Sequence, residues 1–228
     1  MAETFQERLE QVQARMAAAC ARAGRKPDEV QLIAVSKTYG PERVREATEC
    51  GLRLFGENKV QEAEAKVPMC PGNISWHLVG HLQSNKAGRA VALFDQIHSV
   101  DSLKLLQRLE AAAAAEGKRL PVLLEINVSG EGSKFGLRPN AAPEVLQHAG
   151  ALEYAQIAGL MTMPPFTPEA ERARTHFRRL RELRDEWSAQ FGVPLLELSM
   201  GMSHDFEVAI EEGATWIRVG TALFGERS

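Results

Sequence analysis

Cysteine is scarce in this chain of 228 residues. The three that occur, Cys20, Cys50 and Cys70, are odd in number and show no Cys-x-x-Cys spacing. This excludes a disulfide framework and argues against a zinc site, so we expect the thiols to be reduced and structural. The chain also lacks any apolar run of about 18 residues, which predicts that no segment spans a membrane.

Positive charge is not in excess either. The formal net charge is −3, so the chain lacks the long-range attraction to phosphate backbones on which general nucleic-acid binders depend. The first seven residues carry acids and no apolar core, unlike a signal peptide. We therefore predict a cytoplasmic protein that has neither nucleic acid nor membrane as a partner.

Short apolar strands alternate with helical patterns along the whole chain. A capping box from Thr4 to Glu7 and apolar residues every three to four positions predict a leading helix within residues 1–24. The predicted strands are 32–37, 53–58, 74–80, 96–100, 121–128, 157–161, 195–199 and 216–219. Asp101 is expected to cap a helix that ends near Gly117, and a charged helix is expected from Thr167-Pro168 to Gln190.

This alternation predicts an α/β fold with a parallel sheet, and eight units are the number that closes a (β/α)8 barrel of the TIM type. We predict one barrel domain over residues 1–228, with the leading helix as an addition. The alternative is an open doubly wound sheet. It is disfavoured because no Gly-x-Gly-x-x-Gly follows any predicted strand.

Lys37 lies at the carboxyl end of the first predicted strand. The apolar run 32–35 leads to it, and Gly40 and Pro41 break the pattern soon afterwards. A lysine amine that is held against apolar walls loses its proton more readily, and the free amine condenses with aldehydes to form a Schiff base. The alternative is a strand-end lysine that only reaches solvent.

Two loops at the same end of the predicted barrel have the composition of an anion site. Segment 199–205 is predicted to turn into a helix, where free backbone N–H groups favour an anion. Gly220 and Thr221 offer further N–H donors and a hydroxyl. The alternative is that Ser203 or Asp205 only caps the helix and Gly220 only turns the chain. Barrels commonly hold a phosphate after strands seven and eight, which favours the anion site.

A lysine nucleophile and a phosphate site on one rim suggest pyridoxal 5'-phosphate (PLP) as the ligand. An aldolase that uses its lysine on a sugar phosphate would meet the same requirements. Arg218 separates these two hypotheses, because its guanidinium could point at the pyridine nitrogen of PLP. The alternative for Arg218 is a salt bridge at the barrel rim.

Five motifs, in order along the chain, resemble those of the pyridoxal phosphate homeostasis protein family. They are Ala34-Val35-Ser36-Lys37, Phe55-Gly56-Glu57-Asn58, segment 77–86, Ser199-Met200-Gly201-Met202-Ser203-x-Asp205 and Arg218-Val219-Gly220-Thr221. That family is similar in fold to the amino-terminal barrel of alanine racemase. The resemblance covers the chain from the first strand to the carboxyl terminus, and it implies a protein that binds PLP.

The resemblance also implies roles for individual residues. Lys37 would hold the cofactor as an internal aldimine, Ser203, Gly220 and Thr221 would bind its phosphate, Arg218 would face the pyridine nitrogen, and Asn58 and His77 would line the pocket. At Tyr39-Gly40 many relatives have a further basic residue and a proline-like turn. We therefore expect the solvent side of the cofactor to differ here.

Two further features have simpler interpretations. His77 and His81 lie on a predicted strand that turns at Gly80 and do not share a helical face, so we expect no metal site. Lys134, in the glycine-rich loop after the fifth strand, could reach inward as a second aldehyde acceptor. We expect it to be solvated instead.

Two functions from different classes remain open. One is a non-catalytic carrier that supports intracellular PLP (vitamin B6) and amino-acid homeostasis, with PLP-dependent apo-enzymes as candidate recipients. The other is a racemase-like enzyme. Alanine racemases add a second domain with a catalytic tyrosine, whereas the predicted barrel consumes this chain and only Tyr39 and Tyr154 are available. We therefore expect the carrier, as a monomer.

Overall fold

The computed structural model describes residues 3–131 and 135–225. Eight parallel strands follow one another around a closed barrel, in which the last strand pairs with the first. The strands are β1 (Gln31–Val35), β2 (Leu54–Glu57), β3 (Ser75–Leu78), β4 (Gln96–Val100), β5 (Leu120–Glu125), β6 (Ala155–Met161), β7 (Glu197–Met202) and β8 (Trp216–Val219). The predicted (β/α)8 barrel is confirmed.

One α-helix precedes the barrel and another follows each strand. They are α1 (Phe5–Arg22), α2 (Pro41–Glu49), α3 (Val60–Lys66), α4 (Ala87–Leu93), α5 (Leu103–Glu116), α6 (Ala142–Gln147), α7 (Arg174–Phe191), α8 (Phe206–Glu211) and α9 (Thr221–Phe224). The predicted capping box is present at the start of α1, where Thr4 and Glu7 bond to each other's backbone N–H groups. The ring of Phe5 packs 5.3 Å from that of Phe224, so α1 also covers α9.

The strands divide their side chains between two apolar clusters. Ala34 belongs to the large core under the helices, whereas its neighbours Ile33 and Val35 form a second cluster with Val79. Successive residues of a strand point to opposite faces, so β1 contributes both to the outer core and to the barrel interior. The second cluster places apolar walls directly below the carboxyl end of β1.

Two predicted helix boundaries are wrong. Ser102, not Asp101, caps α5, because its hydroxyl accepts the N–H of Leu105 at 3.2 Å. The charged helix α7 begins at Arg174, because residues 170–173 form a 3-10 turn before it. The predicted start at 167–168 is therefore several residues early.

The predicted turn at 199–205 is also wrong in its first half. β7 continues through Met202, although its register with β8 shifts between Ser199 and Met202. Gly201 has a φ of +91°, which allows the strand to bend without ending. A glycine in a short segment that begins and ends with serine has the composition of a turn, and only the pairing with β8 shows that this segment is a bulged strand.

Candidate functional site

A pocket opens at the carboxyl ends of the strands. Its wall contains six of the residues predicted for the site, namely Lys37, Asn58, Ser203, Arg218, Gly220 and Thr221. Tyr39, Val35, Val79, Met163, Phe166, Met202 and His204 complete the wall. Met163 and Phe166 come from the loop after β6, which no sequence motif singled out. Only the convergence of strand ends in a barrel points to that loop.

Lys37 lies in a tight turn that directly follows β1. The N–H of Tyr39 donates to the carbonyl of Ser36 at 3.1 Å, which closes the turn 36–39. Thr38 has a φ of +69°, the only positive value among the non-glycine residues that the structure describes. A β-branched residue in this region is an outlier that costs on the order of 1–3 kcal/mol. Contacts around the turn must therefore hold Lys37 in place.

Ser203 connects the ends of β7 and β8. Its Oγ accepts hydrogen bonds from the backbone N–H groups of Gly220 and Ala222, both at 3.2 Å. Because a hydroxyl oxygen has two lone pairs and both are used, Ser203 has only its proton left to offer a ligand. A hydroxyl that can only donate favours an anionic group such as a phosphate.

The glycine in β7 allows Ser203 to reach this position. Gly201 combines its positive φ with close packing against α8, since a Cβ there would lie 2.5 Å from the Cβ of Ala209 and 2.9 Å from the Cα of Phe206. Any side chain would thus disturb both the bend and the packing. Asp205 then holds the loop, because its Oδ1 accepts the N–H of Met202 at 2.7 Å.

Arg218 reaches the pocket from the barrel interior and is almost fully buried. Its Nη1 donates to the Oγ of Ser199 at 2.6 Å, and its Nη2 donates to the carbonyl of Thr162 at 3.0 Å. Burial lowers the pKa of Arg218 to about 10, against the opposing effect of the Asp205 and Glu125 carboxylates. The guanidinium is therefore still charged at neutral pH, and it can donate hydrogen bonds but accept none.

A chain of hydrogen bonds continues from Arg218 across the barrel. Because Arg218 donates to Ser199, the Ser199 hydroxyl can give its own proton to Nδ1 of His98, 2.8 Å away. His98 then carries its proton on Nε2 and donates to Nδ1 of His77 at 3.0 Å. Both imidazoles are neutral in this arrangement.

The pKa values of the two histidines agree with neutral rings. Burial lowers the pKa of His77 to about 4. The pKa of His98 is lowered well below its usual value by burial, with further effects from His77 and the Arg218 cation. In this arrangement, protonation of His77 on Nδ1 would place two N–H donors opposite each other.

His77 lies deeper than the sequence predicts. It is 4% exposed, its ring packs 5.2 Å from that of Trp216, and it does not belong to the described pocket wall. Val79, two residues further along the chain, contributes to the wall instead. His77 is thus linked to Arg218 through His98 and Ser199, and its predicted place beside the cofactor stays a prediction.

His81 is separated from His77 in the structure. It stacks on Phe135 with ring centroids 3.8 Å apart, and its Nδ1 lies 3.2 Å from the Asp101 carboxylate. Within residues 3–131 and 135–225, no cluster of three or more His, Cys, Asp or Glu side chains could hold a metal ion.

In the same ranges, no helix has the length and apolar composition needed to cross a membrane. Lys134 lies outside the described residues, and its predicted solvation stays a prediction.

Known protein families and relatives match almost the whole chain. The family "Alanine racemase, N-terminal domain" matches residues 8–228. The pyridoxal phosphate homeostasis protein of Aquifex aeolicus is 45% identical over 222 residues, which are 97% of each chain. The protein of the same name from Escherichia coli K12 is 38% identical over 225 residues, or 96% of this chain and 95% of that one.

Solved structures agree with these relatives. PipY of Synechococcus elongatus, solved with PLP bound, has a TM-score of 0.84 and 41% identity, and the match covers 97% of this chain and 100% of that chain. An alanine racemase of Clostridium difficile has a TM-score of 0.73 at 14% identity over 94% of this chain and 55% of its own, which shows a shared fold only. Identity over nearly the full length shows that this chain belongs to the pyridoxal phosphate homeostasis protein family.

Proposed function

We propose that this protein holds PLP in the pocket at the carboxyl ends of the strands, through a Schiff base with Lys37, and that it supports intracellular PLP and amino-acid homeostasis without catalysis of its own. The observation that carries the proposal is the presence of Lys37, Ser203 and Arg218 in one pocket wall. The likeness to PipY, whose structure was solved with PLP bound, supports the same ligand.

The residues of the pocket fit the chemical groups of PLP. When bound, PLP supplies an aldehyde that reacts reversibly with amines. The Lys37 amine forms a C=N bond to the aldehyde carbon, and the aldehyde oxygen leaves as water. Ser203 can offer only a donated proton, which suits a phosphate oxygen, and the backbone of Gly220 and the hydroxyl of Thr221 lie in the same wall. Arg218 would donate to the pyridine nitrogen.

Two features of the pocket favour a carrier over an enzyme. Arg218 can only donate to an unprotonated pyridine nitrogen, so negative charge from a substrate would be poorly stabilised on the ring. The hydroxyl of Tyr39 donates to the carbonyl of Gly225 at 2.9 Å. The other tyrosine, Tyr154, directly precedes β6 and so lies at the opposite end of the barrel. Neither tyrosine is placed as an unengaged acid or base in the pocket.

The proposal includes PLP-dependent apo-enzymes as recipients of the cofactor, and a monomer as the binding unit. Release would reverse the attachment, because water returns to the C=N carbon and frees the Lys37 amine.

The proposal is tested by trapping the bond between lysine and cofactor. The purified protein is incubated with PLP, reduced with borohydride and mapped by peptide mass spectrometry, with Lys37→Ala and the exposed control Lys104→Ala in parallel. We expect the pyridoxyl group on Lys37 in the wild type and in the control, and its loss in Lys37→Ala. Labelling at Lys134 alone would contradict the assignment.

The absence of catalysis is tested separately. The PLP-loaded protein is incubated with L-amino acids, and the enantiomer ratio is followed over time. We expect no racemisation above that of free PLP. A rate proportional to the protein concentration would favour the racemase-like alternative.

A further inference from the structure

A buried ion pair lies against the turn that carries Lys37. Lys66, the last residue of α3, is 7% exposed, and its Nζ donates to the carbonyl of Ser36 at 2.7 Å and to Oε1 of Glu57 at 2.6 Å. Oε1 of Glu57 also accepts the hydroxyl of Ser36 at 2.7 Å. Burying two opposite charges is costly, so such a pair is weak evidence for stability alone. Its place beside one particular peptide group indicates a more specific role.

A second contact from α3 reaches the other side of Lys37. Glu62 and Thr38 line one surface pocket together with Lys66. The pKa of the Glu62 carboxyl is lowered mainly by its hydrogen bond from Lys59 and further by the nearby backbone N–H of Thr38. The Ser36 carbonyl belongs to the peptide group before Lys37, and the Thr38 N–H belongs to the peptide group after it. α3 therefore bonds to the peptide group before Lys37 through Lys66 and places the Glu62 carboxylate near the one after it.

These contacts hold a backbone conformation that the local residue types disfavour. Thr38 has a φ of +69°, an unfavourable value for a β-branched residue. Without the contacts from α3, the hydrogen bond from the Tyr39 N–H to the Ser36 carbonyl would have to maintain this conformation. The orientation of the two flanking peptide groups sets the direction in which the Lys37 side chain leaves the backbone. A turn that relaxed to negative φ at Thr38 would rotate those peptide groups and redirect the amine.

We propose that α3 clamps the turn 36–39 and that Lys66, paired with Glu57, and Glu62 are positioning residues for the Lys37 amine. This inference rests on the proposed role of Lys37 in holding PLP. Asn58 follows Glu57 directly and lies in the pocket wall, so one strand end supplies both the anchor of the clamp and part of the site.

The test separates covalent attachment from binding of the ring and phosphate. Two variants weaken the clamp: Glu62→Ala, at a partly exposed position, and Lys66→Met with Glu57→Gln, which leaves no unpaired buried charge. Attachment is followed by the visible absorbance of the PLP–Lys37 bond over a range of pH. Binding without attachment is measured with pyridoxine 5'-phosphate, which has the ring and phosphate but no aldehyde.

We expect the equilibrium constant for attachment to fall about tenfold in both variants, as for the loss of a hydrogen bond to a charged group. Affinity for pyridoxine 5'-phosphate should change by less than about twofold, since the phosphate donors are untouched. The matched control is Lys118→Met. Lys118 also donates to two backbone carbonyls, those of Val91 and Phe94, both at 2.8 Å, but it lies before β5, away from the pocket. Neither measurement should change in it.

A rescue experiment distinguishes positioning from general damage to the fold. Glycine adopts positive φ readily, so in a Thr38→Gly background the turn needs the clamp less. We expect the tenfold loss caused by Glu62→Ala to shrink to less than about threefold in that background. In the cofactor-free protein, Glu62→Ala should also speed hydrogen exchange at the Tyr39 amide, and Thr38→Gly should reverse part of that effect.

The outcomes distinguish a failure of the positioning role of α3 from a failure of the proposed function. Equal losses from Glu62→Ala in the wild-type and in the Thr38→Gly background, or clamp variants that attach PLP as the wild type does, would overturn the inference and leave the proposed function standing. Parallel losses of PLP attachment and pyridoxine 5'-phosphate affinity would also overturn it. A wild type in which Lys37 forms no bond with PLP would overturn the proposed function, and the inference with it.

Discussion

A buried carboxyl at the end of β5 provides a quantitative test of the site's electrostatics. Glu125 is 3% exposed, and its Oε2 has no hydrogen-bond partner among the described residues. Burial raises the pKa of Glu125 to about 7, the Asp101 carboxylate adds to this, and Arg218 opposes it. The folded protein therefore keeps the Glu125 proton at pH values where the unfolded chain releases it.

The sign and size of the effect follow from linkage. An acid whose folded pKa is raised contributes stability that is fully present below its unfolded pKa of 4.5 and is lost as the pH rises through about 7. The difference between the unfolded pKa of 4.5 and the folded pKa of about 7 corresponds to about 3 kcal/mol in the free energy of unfolding. Glu125→Gln resembles the protonated carboxyl at every pH and removes this loss.

Urea unfolding of the wild type and of Glu125→Gln near pH 4.5 and near pH 8 measures the effect. Between the two conditions, the variant should gain up to about 3 kcal/mol relative to the wild type. The titrations of His77 and His98 are common to both proteins and cancel in the comparison. The exposed Glu116→Gln serves as the control and should follow the wild type. If Glu125→Gln shows the wild-type pH dependence, the reasoning is refuted.

Three more perturbations address the site and its support. Ser203→Ala with Thr221→Val should weaken PLP binding by about 1.5–3 kcal/mol per lost hydrogen bond while the fold is kept, with a modestly lower thermal midpoint because the N–H groups of Gly220 and Ala222 lose their acceptor; equal wild-type affinities for PLP and pyridoxal would contradict this. Gly201→Ala should cost about 1–3 kcal/mol in urea unfolding, and an unchanged midpoint would disprove the role of the bend. The lowered pKa of His77 should remove about 3 kcal/mol of stability as the pH falls from 6.5 to about 4, a slope absent in His77→Phe.

The barrel could be predicted from sequence because its signals are local. β4 and β8 have the predicted bounds, since each is a short segment with β-branched residues between turn residues. β7 could not be predicted in full, because the bulge at Gly201 is defined by pairing with the next strand, β8. A strand boundary that is set by pairing with another strand has no local pattern in the sequence to mark it.

The same distinction applies to the site. Lys37, Ser203 and Arg218 could be placed at one rim, because the carboxyl ends of parallel strands meet there. The depth of His77 could not, since the layer that a residue occupies depends on the tilt and register of all eight strands. The contact of Lys66 with Ser36 joins residues 30 positions apart and likewise had no signal in the sequence.

The buried chain from Arg218 to His77 explains how a cation can lie inside the barrel and still face the pocket. Ser199 accepts from Arg218 and still has its own proton to give to Nδ1 of His98, which can accept it because the His98 ring is neutral. His77, neutral down to a pH of about 4, accepts the other proton of His98. In this arrangement every donor between Arg218 and His77 meets an acceptor, and the arrangement is compatible with any pH at which both rings are neutral. A guanidinium held in this way presents the same donor to the pocket throughout the physiological range.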